Sequence, residues 1–141
     1  MLPAPHRSSS MHLALWIVQA LLALAFAGAG TMKLVTPEAE LVNLGMGGWV
    51  PDSPVLLVRF IGLSEVLGAL GLILPAASRI APGLTPLAAL GLGTIMVLGA
   101  ATHLAYGEFP NVVPTLVLGS LAAFVAWGRL RRHPILPRKA A

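Results

Sequence analysis

The segment from Val55 to Leu74, VLLVRFIGLSEVLGALGLIL, decides how the rest of the chain is read. It is 20 residues long, and its polar members are Arg59, Ser64 and Glu65. At 1.5 Å per residue a helix of this length covers about 30 Å, the thickness of a bilayer's hydrocarbon core. Glu65 lies ten residues in, about 15 Å deep and near the midplane. A lone charge at that depth costs about 2.5–3.5 kcal/mol on insertion scales. Glu65 therefore needs an answering group on a neighbouring helix.

Three further segments have the same character: Leu13 to Met32, Leu84 to Leu104 with Pro86 in its first turn, and Val112 to Trp127 running on to Leu130. Turn and breaker clusters separate them: Pro51-Asp52-Ser53-Pro54, Pro75, Pro82-Gly83 and Phe109-Pro110-Asn111. Of 141 residues, 57% are hydrophobic and 10% charged, where a soluble domain carries about 25% charged residues. The expected fold is all-α, an integral membrane four-helix bundle. Its helices fall at about 13–32, 55–74, 84–104 and 112–130 of a single domain over 13–130. A tail of residues 1–12 precedes it and a basic tail of residues 131–141 follows.

Leu34 to Pro54 is longer than a hairpin needs. Thr36 as cap, Pro37 at the first position, and Glu38 and Glu40 in the first turn predict a short interfacial helix through Leu44. Met46 to Val50, with Trp49, is then expected at headgroup level. The first segment could be read as a secretory signal cleaved after Ala25-Phe26-Ala27, but its apolar run is long for one and it is expected to stay.

Several chemistries are set aside. The chain has no cysteine, which removes disulfides, thiol redox chemistry and thiolate-held clusters. No HExxH, GxSxG or phosphate-loop motif occurs. His12 and His103 end opposite sides of the bundle and His6 and His133 lie in the tails, so no pair can ligate a haem. His103 with Glu108 is too little for a metal centre, and none is expected. Five of the nine Lys+Arg are Arg129, Arg131, Arg132, Arg138 and Lys139. Behind an apolar segment they read as an anchor to anionic lipid, not as a nucleic-acid surface. With Arg7 and Arg79 they place both termini in the cytoplasm.

The polar residues inside the spans point to a site. Arg59, Gly62, Glu65, Gly68 and Gly71 recur at spacing three, a ridge of charges and glycines expected to face the bundle interior. Side chains tilt toward a helix's N-terminus, so Lys33, at the end of the first span, points back toward the depth of Glu65. Lys33 is a better partner for Glu65 than Arg59 is. His103 ends the third span at the same level. The expected object is an outward-opening polar pocket lined by Lys33, Arg59, Glu65 and His103, with Gln19 and Glu108 as secondary candidates. The inner half shows no comparable polar path. The plainer readings are that Lys33 and Arg59 snorkel to headgroups, that His103 is interfacial, and that Gln19 makes a helix–helix hydrogen bond.

Phe26-x-x-x-Gly30-x-x-Lys33-Leu34 and Arg59-x-x-Gly62-x-x-Glu65-x-x-Gly68-x-x-Gly71-Leu72-x-Leu74-Pro75, with His103 before Gly107-Glu108 and a closing Arg129, resemble the DoxX-like signature over roughly residues 13–130. The resemblance implies a four-helix inner-membrane protein of the DoxX/DoxD kind, with Lys33, Arg59 and Glu65 at the family's recurrent polar positions. Some such proteins are subunits of thiosulfate:quinone oxidoreductase or associate with membrane redox enzymes, and many have no assigned activity. The expectation is an accessory subunit of a quinone-linked redox system, not an enzyme on its own. Its implied cofactor is quinone, and its partners are the bilayer, a membrane or periplasmic redox protein, and further copies of itself. Without cysteine the chain departs from any thiol-based version of that role. The alternatives are a scaffold recruiting a partner through the 34–54 loop or the basic tail, and a small proton- or ion-coupled transporter.

Overall fold

The structure, a computed structural model, describes residues 7–138, with side chains from Ser10 onward. Residues 1–6 of the expected N-terminal tail, His6 among them, the Arg7 side chain, and residues 139–141 with Lys139 lie outside the described residues. The elements are α1 (Arg7–Val35), α2 (Glu38–Asn43), α3 (Val55–Ser78), α4 (Leu84–Ala105) and α5 (Phe109–Trp127), closed by a π-helical turn over Gly128–Arg132. There is no strand among the described residues. Four helices are long and apolar enough to cross a membrane: Ser10–Val35, Val55–Ser78, Leu84–Ala105 and Phe109–Arg132. Leu24, Leu56, Val97 and Val113 are among the large apolar side chains turned outward on them, a surface that only lipid or another apolar partner would cover. The protein is a multi-pass membrane protein.

The long helices form a ring in which α1 packs on α3, α3 on α4, α4 on α5, and α5 back on α1. Leu22, Phe26, Leu72, Leu92, Met96 and Val125 fill its centre. One end of the bundle carries the 36–54 segment and the α4–α5 turn and is called the loop end here. The other carries both chain ends and the α3–α4 turn and is called the terminal end.

The element ends differ from expectation for identifiable reasons. Thr36 does not cap α2: its N–H bonds the Met32 carbonyl at 2.9 Å and so completes α1, while α2 starts behind Pro37 without a side-chain cap. A residue before proline is pushed out of helical backbone, which breaks the chain between α1 and α2. Helix α3 does not stop at Pro75 but runs three residues further to Ser78. Proline inside a membrane helix is tolerated where a neighbour meets the loosened carbonyls. Pro75 cannot donate to the Gly71 carbonyl, and Gln19 Nε2 on α1 donates to the carbonyl beside it, that of Leu72, at 2.6 Å. Pro110 likewise starts α5 instead of preceding it, because a first-turn residue needs no N–H partner.

The ridge of spacing three serves two neighbours. Three residues turn a helix by about 300°, so a row at that spacing drifts by about 60° per step. Gly62 meets α1 at the Gly30 carbonyl, whereas Gly68 meets Leu92 and Gly71 meets Ala88 on α4. Interior-facing is thus right for Gly62 and Glu65, and the lower glycines line the α3–α4 seam. An apolar cleft of about 500 Å³ runs along that seam beside Gly68, Gly71, Leu87 and Leu92.

Candidate functional site

The closest helix approach builds the site. A methyl added at Gly30 would lie 2.6 Å from the Gly62 carbonyl oxygen, and one added at Gly62 would lie 2.7 Å from the Gly30 oxygen. Only glycine at both positions lets the two backbones meet. Each glycine also faces the other helix's charged residue: Glu65 Cβ would be 3.0 Å from the Gly30 methyl and Lys33 Cβ 2.8 Å from the Gly62 methyl. Two Gly-x-x-charge segments, Gly30 to Lys33 and Gly62 to Glu65, thus interlock antiparallel. Lys33 Nζ donates to Glu65 Oε2 at 2.8 Å and to Oε1 at 3.2 Å. Lys33 is 7% exposed and Glu65 2%, so the ammonium does not snorkel but serves the buried acid.

Arg59 is not part of that pair. Its Nη1 donates to the carbonyls of Lys33 and, at 3.0 Å, of Thr36. These are C-terminal carbonyls of α1 with no helical N–H to accept, and a cation also suits that end of the helix dipole. Arg59 caps the first span.

His103 and Glu108 form a separate unit at the loop end. His103 Nδ1 lies 2.7 Å from Glu108 Oε2, and the Gly48 N–H donates to Glu108 Oε1. Gly47 has φ +110°, and a methyl there would lie 2.7 Å from Glu108 Oε2 and 3.0 Å from His103 Cε1. The glycine is needed both for its backbone and for its bareness. Tyr106 donates to Asp52 Oδ2 at 3.1 Å, a second link across the same gap. Trp49, expected among headgroups, donates its indole N–H to the Met46 carbonyl and packs on Leu41, Val50 and Val58. The 36–54 segment is a cap pinned to the α4–α5 turn.

The Gly48 N–H, and after it the His103 side chain, hold the Glu108 carboxyl below its ordinary value of 4.5. A depressed acid contributes stability above its unfolded value and loses it as pH falls through the folded one. Protection of the 45–50 amides from hydrogen exchange should therefore persist at pH 4.5 and fall in more acid solution. In Glu108→Gln it should be weaker at neutral pH and flat across that window. Equal protection in the two proteins at neutral pH would remove Glu108 as the pin.

The four expected pocket residues thus do not converge on one opening. Lys33 and Glu65 close on each other, Arg59 on α1 carbonyls, and His103 on Glu108. Among the described residues no hydrogen bond joins the last pair to the first.

The terminal half carries a buried polar network of its own. Arg129, expected among headgroups, is 3% exposed. The π-helical turn and the close packing of Gly128 on Leu15 bring it inward. Its Nε donates to Gln19 Oε1 at 2.6 Å, so Gln19 links the Arg129 guanidinium to the Pro75 kink. Its guanidinium carbon stands 5.3 Å from the centre of the Trp16 ring. Gln19 as a helix–helix hydrogen bond was legible from its place on the Lys33 face, but its partner was not. Gln19→Leu should cost about 1–3 kcal/mol, since it strands a buried guanidinium N–H. Chemical unfolding in detergent measures it, and a loss below about 0.5 kcal/mol, the level of an ordinary surface change, would show this group to be met otherwise.

These observations define a four-span helical membrane bundle, with a buried ion pair between its first two spans and a polar network at each end. The chain belongs to the DoxX-like family, whose sequence profile matches residues 17–125. No curated protein matches the chain, and no solved structure does.

Proposed function

We propose that the protein is an accessory, non-catalytic membrane subunit of a quinone-linked redox system. In this reading it lies in the bacterial inner membrane with both termini cytoplasmic. The orientation is supported by Arg79, Arg129, Arg131, Arg132 and Arg138 at the terminal end against Lys33 and Arg59 toward the other. The redox link is supported by the resemblance of the polar motifs to proteins of such systems. The accessory part is carried by one observation, that Lys33, Arg59, Glu65, His103 and Glu108 are each engaged within the chain.

That engagement also bears on the quinone. Lys33 spends its ammonium on Glu65 and Arg59 its guanidinium on two carbonyls, and neither cavity described here touches either. These residues do not fit a quinone headgroup as they stand. A quinone would then be held by the partner, with this chain as its membrane platform.

The test is isolation of the native complex in mild detergent, with identification of co-purifying proteins and an absorbance spectrum. An oxidoreductase subunit recovered with the chain, and lost when the loop-end cap is loosened by Glu108→Gln, supports the reading. A chain that cross-links only to itself in intact membranes overturns it.

The polar clusters at both ends give some support to a second reading, a small proton- or ion-coupled transporter. Against it stands the apolar layer of Phe26, Leu72, Leu92 and Met96 between them. Liposome flux abolished by Glu65→Gln would favour transport, and flux unchanged by it would remove Glu65 as the coupling group.

A further inference from the structure

The guanidinium of Arg129 is buried with no counter-charge among the described residues. Its partners among the described residues are neutral: Gln19 Oε1, His12 Nδ1 at 3.2 Å and the His133 carbonyl at 3.4 Å. The contact with His12 is itself incomplete. Trp16 Nε1 already donates to His12 Nε2 at 3.1 Å, and a neutral imidazole has one acceptor nitrogen for two such donors. Arg129 Nη2 is buried with no partner among the described residues. The five acidic side chains, Glu38, Glu40, Asp52, Glu65 and Glu108, belong to the loop end or the middle of the bundle. Leaving a buried cation uncompensated costs several kcal/mol. Lys33 has its carboxylate, and among the described residues Arg129 has none.

A cavity of about 190 Å³ adjoins it, walled by Arg129, Pro82, Gly83, Pro86, Pro134 and Ile135 among others. Gly83 is the N-cap of α4, a 22-residue helix with no side-chain cap. The Leu84 and Thr85 N–H groups are taken by Ala81 and Pro82 carbonyls, and Pro86 has none, so the helix end contributes mainly its positive field. Thr85, next in the chain to the wall residue Pro86, does not line the cavity, but its hydroxyl is buried without a partner among the described residues. Thr94, Thr102 and Thr115 each bond the carbonyl four residues back, but Thr85 is the second residue of α4 and has no helical carbonyl there. The tail is strapped over this corner, with Arg79 Nε on the Leu136 carbonyl and the Arg138 N–H on the Arg79 carbonyl, each at 3.0 Å.

We propose that this corner is an oxyanion site, in which Arg129 and the start of α4 take a phosphate group. A guanidinium fork suits two oxygens of one phosphate. The apolar walls suit a diester that continues into lipid, and free phosphate is the other source of the same chemistry. The site lies at the end of the bundle away from the Lys33–Glu65 pair and does not rest on the redox reading.

The test uses the full chain purified in phosphate-free detergent. Native mass spectrometry reads retained phospholipid, and the shift in Tm is read on adding phosphatidylglycerol or inorganic phosphate. Retained phospholipid, or stabilisation by phosphatidylglycerol alone, assigns the site to a lipid headgroup, and stabilisation by inorganic phosphate assigns it to the free anion. The affinity obtained by titrating either response should fall roughly tenfold or more in Arg129→Gln, a change of about 1.4 kcal/mol or more. Should that variant not fold, Ile135→Glu places a carboxylate in the cavity wall and should displace the anion equally. Arg131→Gln, an exposed arginine at the same end, should keep it. No response in the wild type, or an equal loss in Arg131→Gln, the mark of non-specific surrounding lipid, would overturn the site. So would a folded Ile135→Glu that binds as the wild type does.

Discussion

Lys33→Met should cost the folded bundle about 3–5 kcal/mol, the range for removing one partner of a buried pair. The size follows from what is left behind. Glu65 has a short side chain at mid-depth, 2% exposed, and cannot reach water by bending. The reverse change, Glu65→Leu, should cost less. A freed Lys33 sits two residues from the end of α1 and can turn its ammonium outward along its apolar stem. The double change Lys33→Met with Glu65→Leu should recover most of the loss, since a buried pair replaced by apolar residues of similar size is often neutral or stabilising. Reversible unfolding of the four proteins in mixed micelles closes the cycle. A double variant as unstable as the sum of its parents would mean that the two residues act independently.

Gly30→Ala and Gly62→Ala should be nearly as damaging. In each, the added methyl meets a carbonyl oxygen of the opposite backbone, at 2.6 and 2.7 Å. A backbone cannot swing aside as a side chain can, so α1 and α3 must separate. Overpacking costs about 1–3 kcal/mol and occasionally more. The upper end is expected because the same separation draws Lys33 from Glu65. Gly28 has nothing within 4 Å of an added methyl, and Gly28→Ala should be neutral or slightly stabilising through helix propensity. Gly68→Ala meets only the Leu92 side chain and should fall between. If Gly28→Ala and Gly30→Ala unfold alike, the close approach is not what holds the first two spans together.

The spans were legible because they rest on length and apolar composition, which the bilayer imposes on any crossing helix. The Lys33–Glu65 pair was legible for a related reason: a mid-depth acid demands a cation, and side-chain tilt named which one. What stayed hidden depended on helix ends and rotations. Pro75 reads as a breaker because its tolerance depends on Gln19, which is 56 positions away in the sequence. Arg129 reads as one more basic residue of an anchor, since only the π-helical turn swings it inward. The spacing-three ridge reads as one face because its drift matters only once two neighbours stand at different angles. The pinning of Glu108 to Gly48 had no signal beyond two glycines in a row.

The Gly30–Gly62 contact bears on how the protein is made. Insertion machinery judges each span as it emerges, and α3 arrives with a carboxylate that costs about 2.5–3.5 kcal/mol to leave bare in lipid. The ammonium that neutralises it is already in place on α1, 32 residues earlier in the chain. The two glycines let the newcomer slide down its predecessor until the charges meet. The first two spans are therefore built to enter as a hairpin, and the later pair assembles on a seam that is already neutral.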